Sequence, residues 1–397
     1  MRYDAGMRTW DIFCTVIDNF GDIGVSWRLA RGLAHEHGAQ VRLWVDDLTV
    51  FQRMRPEIRP DLAQQSCDGV TVCAWRPDMP DPSAVRAADV VVEAFGCVLP
   101  DAYVAAMATR SPPPVWINLE YLSAESWVAA HHGLPSPHPR LPLTKYFFFP
   151  GYTDQTGGLL RERDLLARRE QFVQHELDAY WPSLGVPAPV AGEWRISLFA
   201  YENPALAELL DAWCTGAEAV TLLVPEGRIL PQVADWLGEP GVHAGDAVRR
   251  GALTVRVLPF ASQDEYDQLL WACDLNFVRG EDSCARAQWA ARPLVWQAYP
   301  QADAVHHDKL DALLAGYSET LAADAAQVLT DTWRRWNGVS DAPDMAACWS
   351  GWRAQRGELA RHAVDWQARL AAQPSLTDAL VDFAENKRLS RRDEPPQ

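Results

Sequence analysis

At 397 residues the chain is long enough for two ordinary domains, each with its own core. Its 48% apolar and 22% charged composition is a globular balance that argues against extended disorder, and no apolar run approaches the ~18 residues of a membrane span. A net charge of −17 argues against a general nucleic-acid binder, which needs a basic face to release counterions from phosphate, and suits a partner that is cationic where it is touched.

The predicted elements alternate from the start. Strand-length apolar runs fall at residues 10–17, 41–45, 70–75 and 90–94, with a helix over 25–35 behind the first. A helix over 101–109 and a strand over 114–119 follow. Strands alternating with helices predict βαβ units and a parallel sheet. Residues 135–156, rich in Pro and aromatics, read as a structured loop over a cleft, because each Pro removes a backbone donor. The charged stretch 161–180 reads as a helix, and 182–192 as the linker.

A second alternating set has strands at 194–199, 220–224, 253–258, 275–278 and 294–297. Its helices fall at 204–215, 229–237, 263–272 and 283–290, and more helices run from 309 to about 385. The polar tail 386–397 is expected to fray. The fold class is therefore α/β, with two Rossmann-like domains facing a central cleft in the GT-B plan, where ligands lie at the carboxyl ends of strands. The domains are placed at 1–184 and 185–365, with a C-terminal helix at about 366–390 packing back on the first.

The eight cysteines show no C-x-x-C pair and no clustered His spacing, which argues against a zinc or redox centre. Cys14, Cys73, Cys97, Cys273 and Cys284 sit in or beside apolar stretches, as reduced, buried thiols do. The first 20 residues hold charges and no apolar h-region, so no signal peptide is expected and the protein is read as cytoplasmic.

Three constellations carry chemistry. The first is Asp18-Asn19-Phe20-Gly21-Asp22-Ile23-Gly24, between the first strand and its helix. Two glycines let the backbone turn tightly, and the strand end puts Asp18 and Asp22 at the cleft mouth. Helix capping explains either acid alone, but less well two carboxylates four apart. Gly21 and Gly24 supply only G-x-x-G, which disfavours a nicotinamide enzyme, so Asp46 and Asp47 are read as a turn or cap.

The second is Arg279-Gly280-Glu281-Asp282-Ser283, between a strand and a helix. A helix N-terminus with an arginine fork suits a diphosphate. Glu281 and Asp282 would cap the helix, bind sugar hydroxyls or offset positive charge on another substrate. The third is Phe199 with Tyr201, Phe260 with Gln263 and Tyr266, and Tyr299, all following strands of the second half. These rings are either core packing or a sandwich for a nucleobase whose edge Gln263 reads.

The segments WDIFCTVIDNFGDIGVSWRLARGLA, SLFAYEN, LPFASQDEYDQLLWACD and LNFVRGEDSCARAQWAARPLVWQAYPQ resemble the protein-arginine rhamnosyltransferases known as EarP, over about residues 10–380. The resemblance implies a metal-independent, inverting GT-B enzyme that needs no cofactor. It would move L-rhamnose from dTDP-β-L-rhamnose onto one arginine of translation elongation factor P, which helps ribosomes through proline stretches.

By motif, Asp22 is the implied general base, Asp18 its orienting partner, and Glu281 a holder of either rhamnose hydroxyls or the guanidinium. Asn19, Phe20, Gly21 and Gly24 form the loop near the sugar. Phe199, Phe260 and Gln263 match the thymine positions. Tyr201, Ser283 and Tyr299 match diphosphate contacts, beside Arg279 and Asp282, and Tyr266 replaces a Phe found in some members. The loops at 95–100 and 121–127 are the expected acceptor surface. Two alternatives are a different GT-B enzyme such as a nucleotide-sugar 2-epimerase, and a non-catalytic protein that binds the elongation factor.

Overall fold

The computed structural model describes residues 8–17, 20–75, 86–301, 304–339 and 341–393. The chain forms two compact units, Met1–Arg163 with Ala371–Gln397, and Asp164–Leu370.

The first unit holds β1 (Thr9–Cys14), β2 (Gln40–Val45), β3 (Gln64–Cys67), β4 (Val70–Ala74), β5 (Val90–Ala94), β6 (Val115–Leu119), β7 (Pro135–Pro137) and β8 (Thr144–Phe148). They lie in the order β3-β4-β2-β1-β5-β6-β8-β7, antiparallel only at the β3 and β7 edges. Counted along the chain, the parallel strands run 3-2-1-4-5-6, the dinucleotide-fold order, so sheet growth reverses between β1 and β5. The inner strands are Val/Ile/Leu runs because both their faces are covered. One face packs Phe13, Trp44, Val91, Tyr103, Met107 and Trp116. In that same apolar layer Asp11 is satisfied by Arg42, Trp44 Nε1, the amide of Ala88 and the Tyr103 hydroxyl.

The second unit holds β9 (Trp194–Leu198), β10 (Val220–Pro225), β11 (Ala247–Arg250), β12 (Leu253–Leu258), β13 (Leu275–Arg279) and β14 (Leu294–Gln297), ordered β11-β12-β10-β9-β13-β14. Its parallel strands run 3-2-1-4-5 and reverse between β9 and β13. Each unit therefore has one switch point, at the carboxyl ends of β1 and β5 and of β9 and β13, where open α/β sheets receive ligands.

Four sequence expectations need correction. The domain boundary lies at Arg163/Asp164, not after residue 184. Residues assigned to the first domain join the second because Phe172 packs edge-on against Trp271, Trp181 lies under Arg195, and Arg169 donates to the Trp289 carbonyl. That stretch is also not one α-helix: a π segment, Phe172–Glu176, interrupts it.

The expected loop over 135–156 contains the β7–β8 hairpin instead. Pro135 and Pro137 are tolerated there because an edge strand needs donors on one side only. The tail is helical through Leu376–Asp393 rather than frayed from 386. Lys387 lies 4.5 Å over the Tyr146 ring, which gives this polar stretch a packing partner. This last helix belongs to the first unit, with Phe383 against Phe148 and Tyr146. It approaches the Gly21–His37 helix so closely that a Cβ on Gly32 would stand 3.0 Å from Thr377 Oγ1.

Candidate active site

In the first unit the chain leaves β1 at Cys14 and enters the Gly21–His37 helix. Asp18 and Asn19 lie outside the described residues. Asp22 stands in the first helical turn, only 3% exposed. Its Oδ2 accepts from the Ile17 amide at 2.8 Å, and Tyr121 Oη donates to Oδ1 at 3.2 Å. The residue before the helix is Phe20, which makes no side-chain cap bond, so Asp22 ties the preceding turn to the helix rather than capping it. Gly21 opens the helix, and the amide of Gly24 donates to the Phe20 carbonyl. Phe20 lies under the Arg53 guanidinium at 5.7 Å.

Two supports of this turn come from neighbouring strand ends. Asp46 Oδ1 accepts from the Val16 amide at 2.9 Å, while Asp47 caps the Leu48–Met54 helix through Thr49 and Val50. Tyr121 is stacked on Phe95 with centroids 4.7 Å apart. Phe95 follows β5 with φ +58°, a left-handed conformation uncommon for an aromatic residue and found where a ring must be aimed. Burial pushes up the thiol of Cys14, at the end of β1, and disfavours its thiolate.

In the second unit β13 ends at Arg279, and Gly280 turns with φ +60° into the Asp282–Trp289 helix. Glycine is required there because a Cβ strains that region. Arg279 is 6% exposed, and its guanidinium lies 4.6 Å from the Phe199 ring and 4.4 Å from Tyr201. Ser283 Oγ donates to the Arg279 carbonyl and accepts from its amide at 3.1 Å. The hydroxyl is thus committed to the turn, which leaves the backbone N–H as the donor Ser283 offers a ligand. Trp296 Nε1 holds the Gly280 carbonyl at 2.7 Å.

Glu281 precedes the helix without a side-chain cap bond. Asp282 accepts from Gln263 Nε2 at 3.3 Å. Gln263 begins the Gln263–Ala272 helix, which Ser262 and Glu265 close with a capping box. Tyr266, one turn on, tilts against Phe199 at 5.3 Å, and burial raises its hydroxyl well above the usual range, so it remains a neutral phenol. Tyr201 is buried, its amide bound to Gln297 Oε1, and meets Tyr299 edge-on at 5.5 Å. Phe260 is half-buried in the loop after β12.

The structure thus gathers Arg279, Phe199, Tyr201, Tyr266 and Tyr299 into one cluster, with Gln263, Asp282 and Ser283 bonded along its edge. Sequence reasoning put Tyr121 at the start of an acceptor-surface loop but not beside Asp22, and it missed Arg228 over Tyr201 at 5.9 Å and the bidentate Asp267–Arg286 pair. Both members of that pair are 1% exposed, and they clamp the helix carrying Gln263 to the helix carrying Asp282. The readable signal was an arginine in the mostly apolar CARAQW segment. No group of three or more His, Cys, Asp or Glu among the described residues is placed to hold a metal. No helix among them is long and apolar enough to cross a membrane.

The family profile described as Elongation-Factor P (EF-P) rhamnosyltransferase EarP matches residues 10–385. A protein-arginine rhamnosyltransferase of Pseudomonas putida KT2440 is 54% identical over 95% of this chain and 99% of its own length. One from Pseudomonas aeruginosa PAO1 is 50% identical over 95% and 99%. Among solved structures, one described as the structural basis for EarP-mediated arginine glycosylation of translation elongation factor EF-P is 42% identical, with TM-score 0.68 over 96% of this chain and 99% of that one. A glycosyltransferase of Rickettsia africae shares the fold alone, at 10% identity and TM-score 0.55 over 98% of this chain. Two Rossmann-like units of this kind constitute the GT-B glycosyltransferase fold.

Proposed function

We propose the following reaction for this chain, which belongs to the EarP family and is a protein-arginine rhamnosyltransferase: L-rhamnose leaves dTDP-β-L-rhamnose and is placed, with inversion at the anomeric carbon, on one arginine of translation elongation factor P. What carries the reading is that each constellation stands at the switch point of its own sheet, Asp22 after β1 and Arg279 at the end of β13.

Arginine stays protonated, with a pKa above ~12, so its guanidinium is a poor nucleophile until a proton leaves it. Asp22 is the proposed general base, held by the Ile17 amide and Tyr121, with Asp18 its orienting partner. As the nitrogen–carbon bond forms, the bond from the anomeric carbon to the phosphate oxygen breaks. Its electron pair leaves with dTDP, and the nitrogen's proton passes to Asp22 and then to water. Arg279 and the amides opening the Asp282–Trp289 helix take up the diphosphate charge, so the step is proposed to run without a metal. Phe199, Phe260 and Gln263 serve the thymine, with Tyr266 beside them. Tyr201, Ser283 and Tyr299 serve the diphosphate. Glu281 holds either the sugar hydroxyls or the guanidinium. The product would be a factor equipped for proline stretches, and the reaction is proposed to run in the cytoplasm.

The test is the intact mass of elongation factor P after incubation with this protein, dTDP-L-rhamnose and a chelator. The expected outcome is a gain of one deoxyhexose. Consumption of donor without elongation factor P would point instead to a nucleotide-sugar epimerase. Partner binding without any turnover would point to a binding protein.

A further inference from the structure

The proposed transfer uses the carboxyl ends of the second unit's strands. At their amino-terminal ends lies a cavity of about 280 Å³ that the reaction leaves unused. Trp194 opens β9, Leu275 opens β13 and Pro293 precedes β14, so three parallel strands start at its floor. Trp352 and Leu359 add apolar wall, and Val364, 51% exposed, stands at the mouth.

Around this apolar floor the charge is cationic. Arg292, Arg356 and Arg361 line the cavity against a single acid, Asp274. Asp274 is already engaged by Arg356 at 3.2 Å and by the Arg195 amide at 2.8 Å. The Arg356 guanidinium also lies over Trp194, 3.9 Å from the ring centroid. Arg361 pairs with Glu358. Arg292 differs: its Nε donates to the Trp271 carbonyl at 3.1 Å, and it makes no ion pair with any described residue.

Nearby Arg169 likewise binds only neutral oxygens, the Trp289 carbonyl and Gln367 Oε1. Its charged form is disfavoured first by burial and then by the charge of Arg292. Two cations bonded to neutral oxygens, on a chain of net charge −17, form a local excess of positive charge. The cavity offers an anion its charge and a flat apolar body its floor. Neither feature alone fills it.

We propose that this cavity binds a small planar organic anion, an aromatic carboxylate in class, with its ring against the accessible apolar lining of Ala291, Pro293 and Ala360 and its carboxylate on Arg292. The volume lies just below the usual ligand-site range of about 300 to 1,000 Å³, which limits the ligand to one or two fused rings.

The experiment is calorimetric titration of the full chain with three probes: 2-naphthoate, neutral 2-naphthylmethanol and inorganic phosphate. A ligand of this size should bind 2-naphthoate with a Kd of roughly 0.05 to 1 mM. The alcohol and phosphate should each be at least about 10-fold weaker, because each offers only half of what the site matches. Arg292→Gln should weaken 2-naphthoate about 10-fold and leave the alcohol unchanged. Should that variant fail to fold, Val364→Glu puts a carboxylate at the solvent-exposed mouth and should repel 2-naphthoate selectively. The proposal is overturned by no binding, by equal binding of acid and alcohol, by phosphate binding as tightly as 2-naphthoate, or by a folded variant that binds like the parent.

Discussion

The two switch points hold opposite charges by different means. Asp22 is held through its edge: one backbone amide and one phenol fix the directions of its oxygens. Arg279 lies over aromatic faces, its guanidinium 4.6 Å from the Phe199 ring and 4.4 Å from that of Tyr201. Contact with ring faces orients a guanidinium, which suits a group proposed to grip a departing diphosphate. Edge hydrogen bonds orient a carboxylate's lone pairs, which a group meant to accept a proton needs. The means of support therefore matches the task proposed for each charge.

The comparison breaks first, if at all, at Asp22. Asp22→Asn keeps the bond from the Ile17 amide through the remaining oxygen but cannot accept the proton. Rhamnosyl transfer measured by intact mass should fall roughly 10² to 10⁴-fold, with dTDP affinity unchanged. Retained activity would assign the proton elsewhere and leave Asp22 a loop clasp.

Arg279→Lys sharpens the other half. It preserves the charge and removes the planar fork that lies against two rings. A fall in kcat/KM of roughly 10²-fold is expected, because a point charge neither stacks nor grips two oxygens at once. If lysine serves as well as arginine, charge alone matters and the stacked geometry is incidental.

Phe199 is the shared wall, touching both Arg279 and Tyr266. Phe199→Leu keeps the volume and loses the π-face. Calorimetry should show dTDP affinity reduced roughly 10-fold, within the ~1–3 kcal/mol that base stacking supplies. The Asp22 turn belongs to the other unit and should be untouched, so residual turnover at saturating donor should exceed that of Arg279→Lys.

Why the sequence revealed one half of each site and hid the other follows from what fixes each residue. Strand ends are legible because Val/Ile/Leu runs stop where the chain leaves the sheet. Thus β5, β12 and β14 fall where the apolar runs place them, and Arg279 and the Gly280 turn are legible as a strand-to-helix loop. The order 3-2-1-4-5-6 was not legible, since pairing between strands leaves no mark in either strand alone. The β7–β8 hairpin was hidden by its prolines, which edge position excuses. The boundary at Arg163 was hidden because a long charged helix carries no sign of which core its Phe172 and Trp181 enter. The place of Tyr121 beside Asp22 was hidden for a similar reason: 99 residues separate the two, and only the parallel alignment of β5 with β6 brings the Tyr121 loop to the first turn.

That makes Tyr121 the finest test of edge support. Tyr121→Phe deletes the hydroxyl that donates to Asp22 and keeps the ring that stacks on Phe95. One hydrogen bond to a charged group carries about 1.5 to 3 kcal/mol at most, and the Ile17 amide and water limit the loss, so kcat should fall by roughly 3- to 10-fold. Donor KM should not move, because no donor contact is proposed for the first unit's carboxylate. Tyr121→Leu, which also removes the stack, should lose more. If Phe matches the parent while Leu is impaired, the ring and not the hydroxyl aims the loop. The strained backbone of Phe95 then serves the packing of the turn rather than the direction of a lone pair.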